Sequence, residues 1–144
     1  MTVVNLPFAL CCTFLWIGFV CAISFMEAWL KFRAPGISLP LGLGIGRLVF
    51  NALNKVELTI VILIGIAILW SRTPVFQIQN LILAFPIGIV LIQTFWLLPA
   101  LDKRAQMHID GKTVQPSKLH FYYVGLELLK VISLFLFGLS LINL

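Results

Sequence analysis

Five ionisable residues stand inside stretches otherwise built from Leu, Ile, Val and Phe: Glu27, Lys55, Glu57, Glu127 and Lys130. A charge at the centre of a hydrocarbon layer costs about 2.5 to 3.5 kcal/mol on insertion scales, so such groups turn into the protein or pair with one another. With Arg47 near the start of its stretch, they make three acids against three bases, a formally neutral set. The chemistry open to this set is ion pairing, capture of a small polar or amphipathic molecule, or proton acceptance by Glu57 or Glu127.

Helical spacing groups these residues with uncharged polar ones. At about 100° per residue, His120, Tyr123, Glu127 and Lys130 fall on one stripe. Arg47, Asn51 and Asn54 form another, with Lys55 and Glu57 flanking it on opposite sides. Trp16, Val20, Ile23 and Glu27 make a third stripe, and Gln93, Trp96, Ala100 and Arg104 a fourth. The candidate ligand-binding or ion-pair cluster is therefore Glu27, Arg47, Asn51, Asn54, Lys55, Glu57, Gln93, His120, Tyr123, Glu127 and Lys130. A purely structural role is open to the same residues: intramembrane polar contacts contribute about 0.6 to 2 kcal/mol each, and Glu127 with Lys130 or Glu27 with Lys31 could be local pairs that fix helix register.

The elements that must carry these stripes follow from composition. Of 144 residues 61 % are apolar and 10 % charged, and the mean hydropathy is +1.09. A soluble domain of this length cannot bury so much apolar surface, so lipid is the expected solvent. Four apolar runs, about 8–30, 46–70, 79–101 and 119–142, are each long enough for a hydrocarbon core of about 30 Å. Strand-type alternation is not sustained, and backbone amides in lipid must then be satisfied within helices. The expected fold is all-α, an integral membrane four-helix bundle in one domain, 1–144.

Pro35-Gly36 and Pro40 mark the first connection, Ser71-Arg72-Thr73-Pro74 the second, and Asp110-Gly111 with Pro116 the third. Lys31, Arg33, Arg47, Lys103, Arg104, Lys112 and Lys118 cluster at the first and third connections, against Arg72 alone on the other side. The positive-inside rule puts those two connections in the cytoplasm and both termini on the non-cytoplasmic side. The net charge of +5 is thereby explained by topology, so nucleic acid is not an expected partner. The polar residues then gather in the cytoplasmic half, with apolar packing closing the outer half.

Other motifs are less specific. Cys11, Cys12 and Cys21 share the first span, so no disulfide can tie two spans of one chain, and the C-x-x-C spacing of a redox pair is absent. Gly42-x-Gly44-x-Gly46 before Arg47 has the look of an anion loop at a helix start, or of glycines that let the chain dip into the interface. His108 and Asp110 are two ligands short of a metal site, and a second buried His for haem is lacking. No metal, catalytic residue or cofactor is expected.

The segment Gln93-Thr94-Phe95-Trp96-Leu97-Leu98-Pro99, a charged run, and His120-Phe121-Tyr122-Tyr123-Val124-Gly125-Leu126 together resemble the second half of the transmembrane-protein-205-like family. Its members are small four-helix membrane proteins, largely of unknown function, so the resemblance implies a fold and little chemistry. The functional expectation is a non-enzymatic carrier or accessory subunit, holding a small polar or amphipathic ligand in a cytoplasm-facing polar cavity. The alternative is an integral membrane enzyme or redox partner using Glu57 or Glu127 as base and His120 as proton shuttle. The expected setting is the lipid bilayer of a bacterial cytoplasmic (inner) membrane, as a homo-oligomer or a subunit of a membrane complex.

Overall fold

The computed structural model describes residues 3–4, 6–71 and 78–143. Four helices are long and apolar enough to cross a membrane: α1 (Pro7–Arg33), α2 (Leu39–Trp70), α3 (Ile78–Ile109) and α4 (Leu119–Ser140). Each packs on its neighbour in sequence, and α4 closes onto α1, giving an up-down-up-down bundle. Beside the helices there is a two-residue antiparallel pairing of Val3–Val4 with Ile142–Asn143, which brings the two ends of the chain together. Arg72, Thr73 and Pro74, expected in the second connection, lie outside the described residues.

Two helices are longer than their apolar runs. The second begins at Leu39 rather than near Gly46, with Ser38 as its N-cap accepting from the Leu41 amide and Pro40 in its first turn. Gly42, Gly44 and Gly46 are therefore helical, neither an anion loop nor a dip in the chain. Gly42 is required by packing, since a Cβ there would overlap the Phe32 ring. The third helix continues through Asp102, Lys103 and Arg104 to Ile109, and the connection shortens to about 110–118. Polar composition alone favours a loop there, but packing on α2 keeps the segment helical.

Two π-helical stretches change which residues face inward. In α1, Cys21–Glu27 is π-helical, and the Ala28 amide donates to the Ile23 carbonyl. In α3, Gln93–Leu97 is π-helical, and the Leu98 amide donates to the Gln93 carbonyl. Pro99 explains the second: it has no N–H to give to the preceding turn, and a wider turn relieves the ring's clash there. Each π stretch advances the inward stripe by about one residue. Ser24 is buried while Ile23 and Glu27 are only half-buried. Leu97 and Ala105 take the inward positions expected for Trp96 and Arg104, and Trp96 is 57 % exposed.

Outside, the bundle presents Phe14, Leu15, Ile62, Ile66, Leu81, Phe85, Leu128 and Phe135, a surface suited to hydrocarbon. Its interior has three levels. At the end holding Pro7, Trp70 and Ser140, an apolar plug packs Ala9, Cys12, Ile64, Ile68, Leu83, Leu134 and Phe137. A polar core follows, and a second apolar layer of Leu97, Leu98 and Tyr123 with Phe50, Leu101 and Leu119 lies beyond it.

Candidate functional site: a sealed polar core and an open basic pocket

The polar core is built from one to three side chains of each helix. Lys130 Nζ donates to Glu57 Oε1 at 2.5 Å and to Glu127 Oε1 at 3.1 Å. Trp16 Nε1 donates to the same Glu57 oxygen at 2.8 Å, and Gln93 Nε2 to the same Glu127 oxygen at 2.8 Å. Glu57, Gln93, Glu127 and Lys130 are each no more than 1 % exposed, so this is a fully desolvated ion-pair network. The Tyr123 hydroxyl lies beside Glu127 and Ser24, although Ser24 Oγ, Gln93 Oε1 and Glu127 Oε2 close no hydrogen bond of ordinary geometry. At about 1.5 Å per residue, the core residues sit between about 13 and 25 Å from the Pro7 end of their helices.

Local sequence explains why these groups meet. Tyr123, Glu127 and Lys130 recur at i, i+4 and i+7 and so share the inner face of α4. Glu57 lies on the stripe of α2 that also buries Leu53, Ile60 and Ile64. Gln93 opens the π stretch of α3, and Ser24 sits in the middle of that of α1. Both irregular turns therefore flank the polar core, where π-bulges are frequently found in functional sites.

At the opposite end from the plug is a cavity of about 280 Å³. Lys31, Arg47, Arg104, His108 and His120 supply its basic rim, Asp102 a carboxylate, and Phe32, Phe50, Leu98, Leu101 and Leu119 its apolar wall. The cations are held in place. Arg47 Nε donates to Asp102 Oδ1 at 3.3 Å and its Nη1 to Gln106 Oε1 at 2.5 Å, Lys31 pairs with Glu27 at 3.0 Å, and an Arg104 Nη2 donates to the Gln115 carbonyl. Counting Lys31, Arg47 and Arg104 against Asp102, the lining carries two formal positive charges.

The eleven residues of the sequence cluster thus separate. Glu57, Gln93, Tyr123, Glu127 and Lys130 form the sealed core. Arg47 and His120 line the pocket, and Asn51 Nδ2 reaches Asp102 Oδ2 at 3.4 Å. Asn54 bonds Thr94 Oγ1 at 2.8 Å, a clamp between α2 and α3 that belongs to neither group. Glu27 is occupied by Lys31, and Lys55 is exposed and joins nothing in the core. A single cytoplasm-facing cavity uniting them is replaced by two compartments. The edge-on contact of Phe50 with Tyr123, ring centroids 5.1 Å apart, belongs to the layer between them.

Several participants had no place in the sequence cluster: Trp16 as a donor to Glu57, Ser24, Thr94, and Asp102 with Gln106. Trp16 does have a signal in the sequence, since it shares a stripe with Glu27. Asp102 falls in the polar stretch between the third and fourth apolar runs. Among the described residues, no three His, Cys, Asp or Glu come together in a way that could hold a metal ion. Cys11 and Cys21 are exposed and Cys12 is buried, all three as free thiols. Comparison of the chain with family models, curated proteins and solved structures finds no match.

Proposed function

We propose that the chain is an integral protein of a bacterial cytoplasmic (inner) membrane that acts, without catalysis, as a carrier or accessory subunit for an amphipathic molecule with an anionic head. The basic pocket carries the proposal. Its rim of Lys31, Arg47 and Arg104 suits a phosphate or carboxylate, while Phe32, Phe50, Leu98 and Leu101 suit the first part of an apolar tail. Lys31, Arg33, Arg47, Lys103, Arg104, Lys112 and Lys118 all belong to this end of the bundle, so the positive-inside rule turns the pocket to the cytoplasm and both termini outward. Within this reading the buried ion pairs hold the four helices in register beneath the pocket. The enzyme or redox reading is less well supported, because a substrate would have to pass the Phe50 and Tyr123 layer to reach Glu57 or Glu127. Membership of the transmembrane-protein-205-like family is proposed only on the likeness of residues 93–99 and 120–126. Assembly into a homo-oligomer or a larger membrane complex is likewise a proposal.

The test is equilibrium binding to the purified full chain in lipid nanodiscs, using a fluorescent single-chain alkyl phosphate and an alkyl trimethylammonium of equal chain length. The phosphate should saturate and weaken about tenfold or more when Arg47→Ala and Arg104→Ala are combined, as expected for losing charge-assisted contacts. Equal uptake of the two probes, or indifference to the double substitution, would refute the proposed head group.

A further inference from the structure

The polar core contains two carboxylates and one ammonium, an excess of one negative charge at a site shut off from solvent. Among the described residues, no other charged side chain faces it. The helix α1 contributes Trp16 and Ser24, α2 contributes Glu57, α3 contributes Gln93, and α4 contributes Tyr123, Glu127 and Lys130. An uncompensated charge there is strongly unfavourable, because no water can solvate it. The core must therefore take up one positive charge, and the hydrogen bonds indicate where.

Gln93 and Glu127 are planar groups already joined at one corner, with Gln93 Nε2 donating to Glu127 Oε1 at 2.8 Å. Their other two atoms, Gln93 Oε1 and Glu127 Oε2, are both buried without a hydrogen bond. Buried acceptors without a donor are costly, and the Tyr123 hydroxyl beside Glu127 can serve a carboxyl oxygen without removing its charge. A proton on one of them turns the pair into a cyclic amide–acid dimer with both corners bonded. Lys130 Nζ donates to both Glu57 Oε1 and Glu127 Oε1, so a single ammonium serves two carboxyls. We infer that Glu127 holds a proton on Oε2 and donates it to Gln93 Oε1, so that the centre of the bundle is a proton-binding site. With that proton bound, the core is one ion pair, Glu57 with Lys130, beside a neutral acid–amide pair, and its net charge is zero. The site is independent of whatever occupies the basic pocket.

The chain has only five carboxyl side chains, which makes infrared difference spectroscopy decisive. The purified full chain in lipid vesicles at neutral pH should show the C=O stretch of a protonated carboxyl. The band should vanish in Glu127→Gln, whose side chain matches the neutral acid in shape, and also in a folded Glu57→Gln, which leaves one carboxylate for one ammonium. Gln93→Leu keeps the acid but removes its acceptor, so the band should remain and move to higher frequency. No protonated-carboxyl band in the unsubstituted chain overturns the inference, as does a band that survives Glu127→Gln. A band that Gln93→Leu leaves unmoved overturns the assignment to Gln93. The first and last measurements need neither glutamate replaced, so they stand even if those variants fail to fold.

Discussion

Trp16 Nε1 and Lys130 Nζ, on neighbouring helices, converge on a single oxygen, Glu57 Oε1, at 2.8 and 2.5 Å. One carboxylate oxygen thereby ties α1 and α4 to α2 across the interior of the bundle. Since all three side chains are buried, loss of any one leaves its partners short of a bond in a medium with no water to replace it.

Trp16→Phe keeps much of the ring and removes the donor. It should lower stability by about 1.5 to 3 kcal/mol, the range for a hydrogen bond to a charged group, with some further loss from packing. Trp29→Phe is the control, since the Trp29 indole is 48 % exposed and donates only to the Phe25 carbonyl of its own helix. Thermal unfolding in detergent compares the two; similar losses would mean the Trp16 contact contributes little.

Lys130→Met removes the one cation that the described residues place in the core and should cost about 3 to 5 kcal/mol, because it strands a buried charge. The rescue is more telling than the loss. Adding Glu57→Gln to Lys130→Met should restore more stability than adding Glu127→Gln, since Glu57 is the carboxylate left charged. A double-mutant cycle on unfolding midpoints measures both couplings, and the reverse order would place the charge on Glu127.

Asp102→Asn frees Arg47 from its half-exposed ion pair. Pairs of this kind contribute no more than about 1 kcal/mol, so the fold should hardly notice. Affinity for an alkyl phosphate should rise severalfold and fall again as salt is added. A weaker affinity would show that Asp102, rather than Arg47, meets the head group.

Orientation is checked by placing a single cysteine in a chain from which Cys11, Cys12 and Cys21 have been replaced by Ala. Lys112→Cys should react with a membrane-impermeant maleimide only after the cytoplasmic face is opened, and Ser71→Cys in intact cells. Both positions are exposed at opposite ends of the bundle. The opposite pattern would invert the topology and with it the side on which the basic pocket opens.

Composition and apolar run length were enough to give four helices fit for a membrane, because a segment of some twenty apolar residues has few other stable states. The spacing of Tyr123, Glu127 and Lys130 also marked them as one face of α4, since that periodicity is a property of the helix alone. What the sequence left open was how each helix is rotated against the others. That rotation sends Lys55 outward and Glu57 inward only two residues apart, and it is set by packing among four surfaces at once. The π stretches at Cys21–Glu27 and Gln93–Leu97 shift the inward stripe again, bringing in Ser24 and Leu97 in place of Ile23 and Trp96. Tertiary structure alone decided that Trp16 and Gln93 complete the core and that Arg47 belongs to a separate pocket. A hydrogen bond depends on ångström-scale approach between helices, and no pattern along one chain segment encodes that distance.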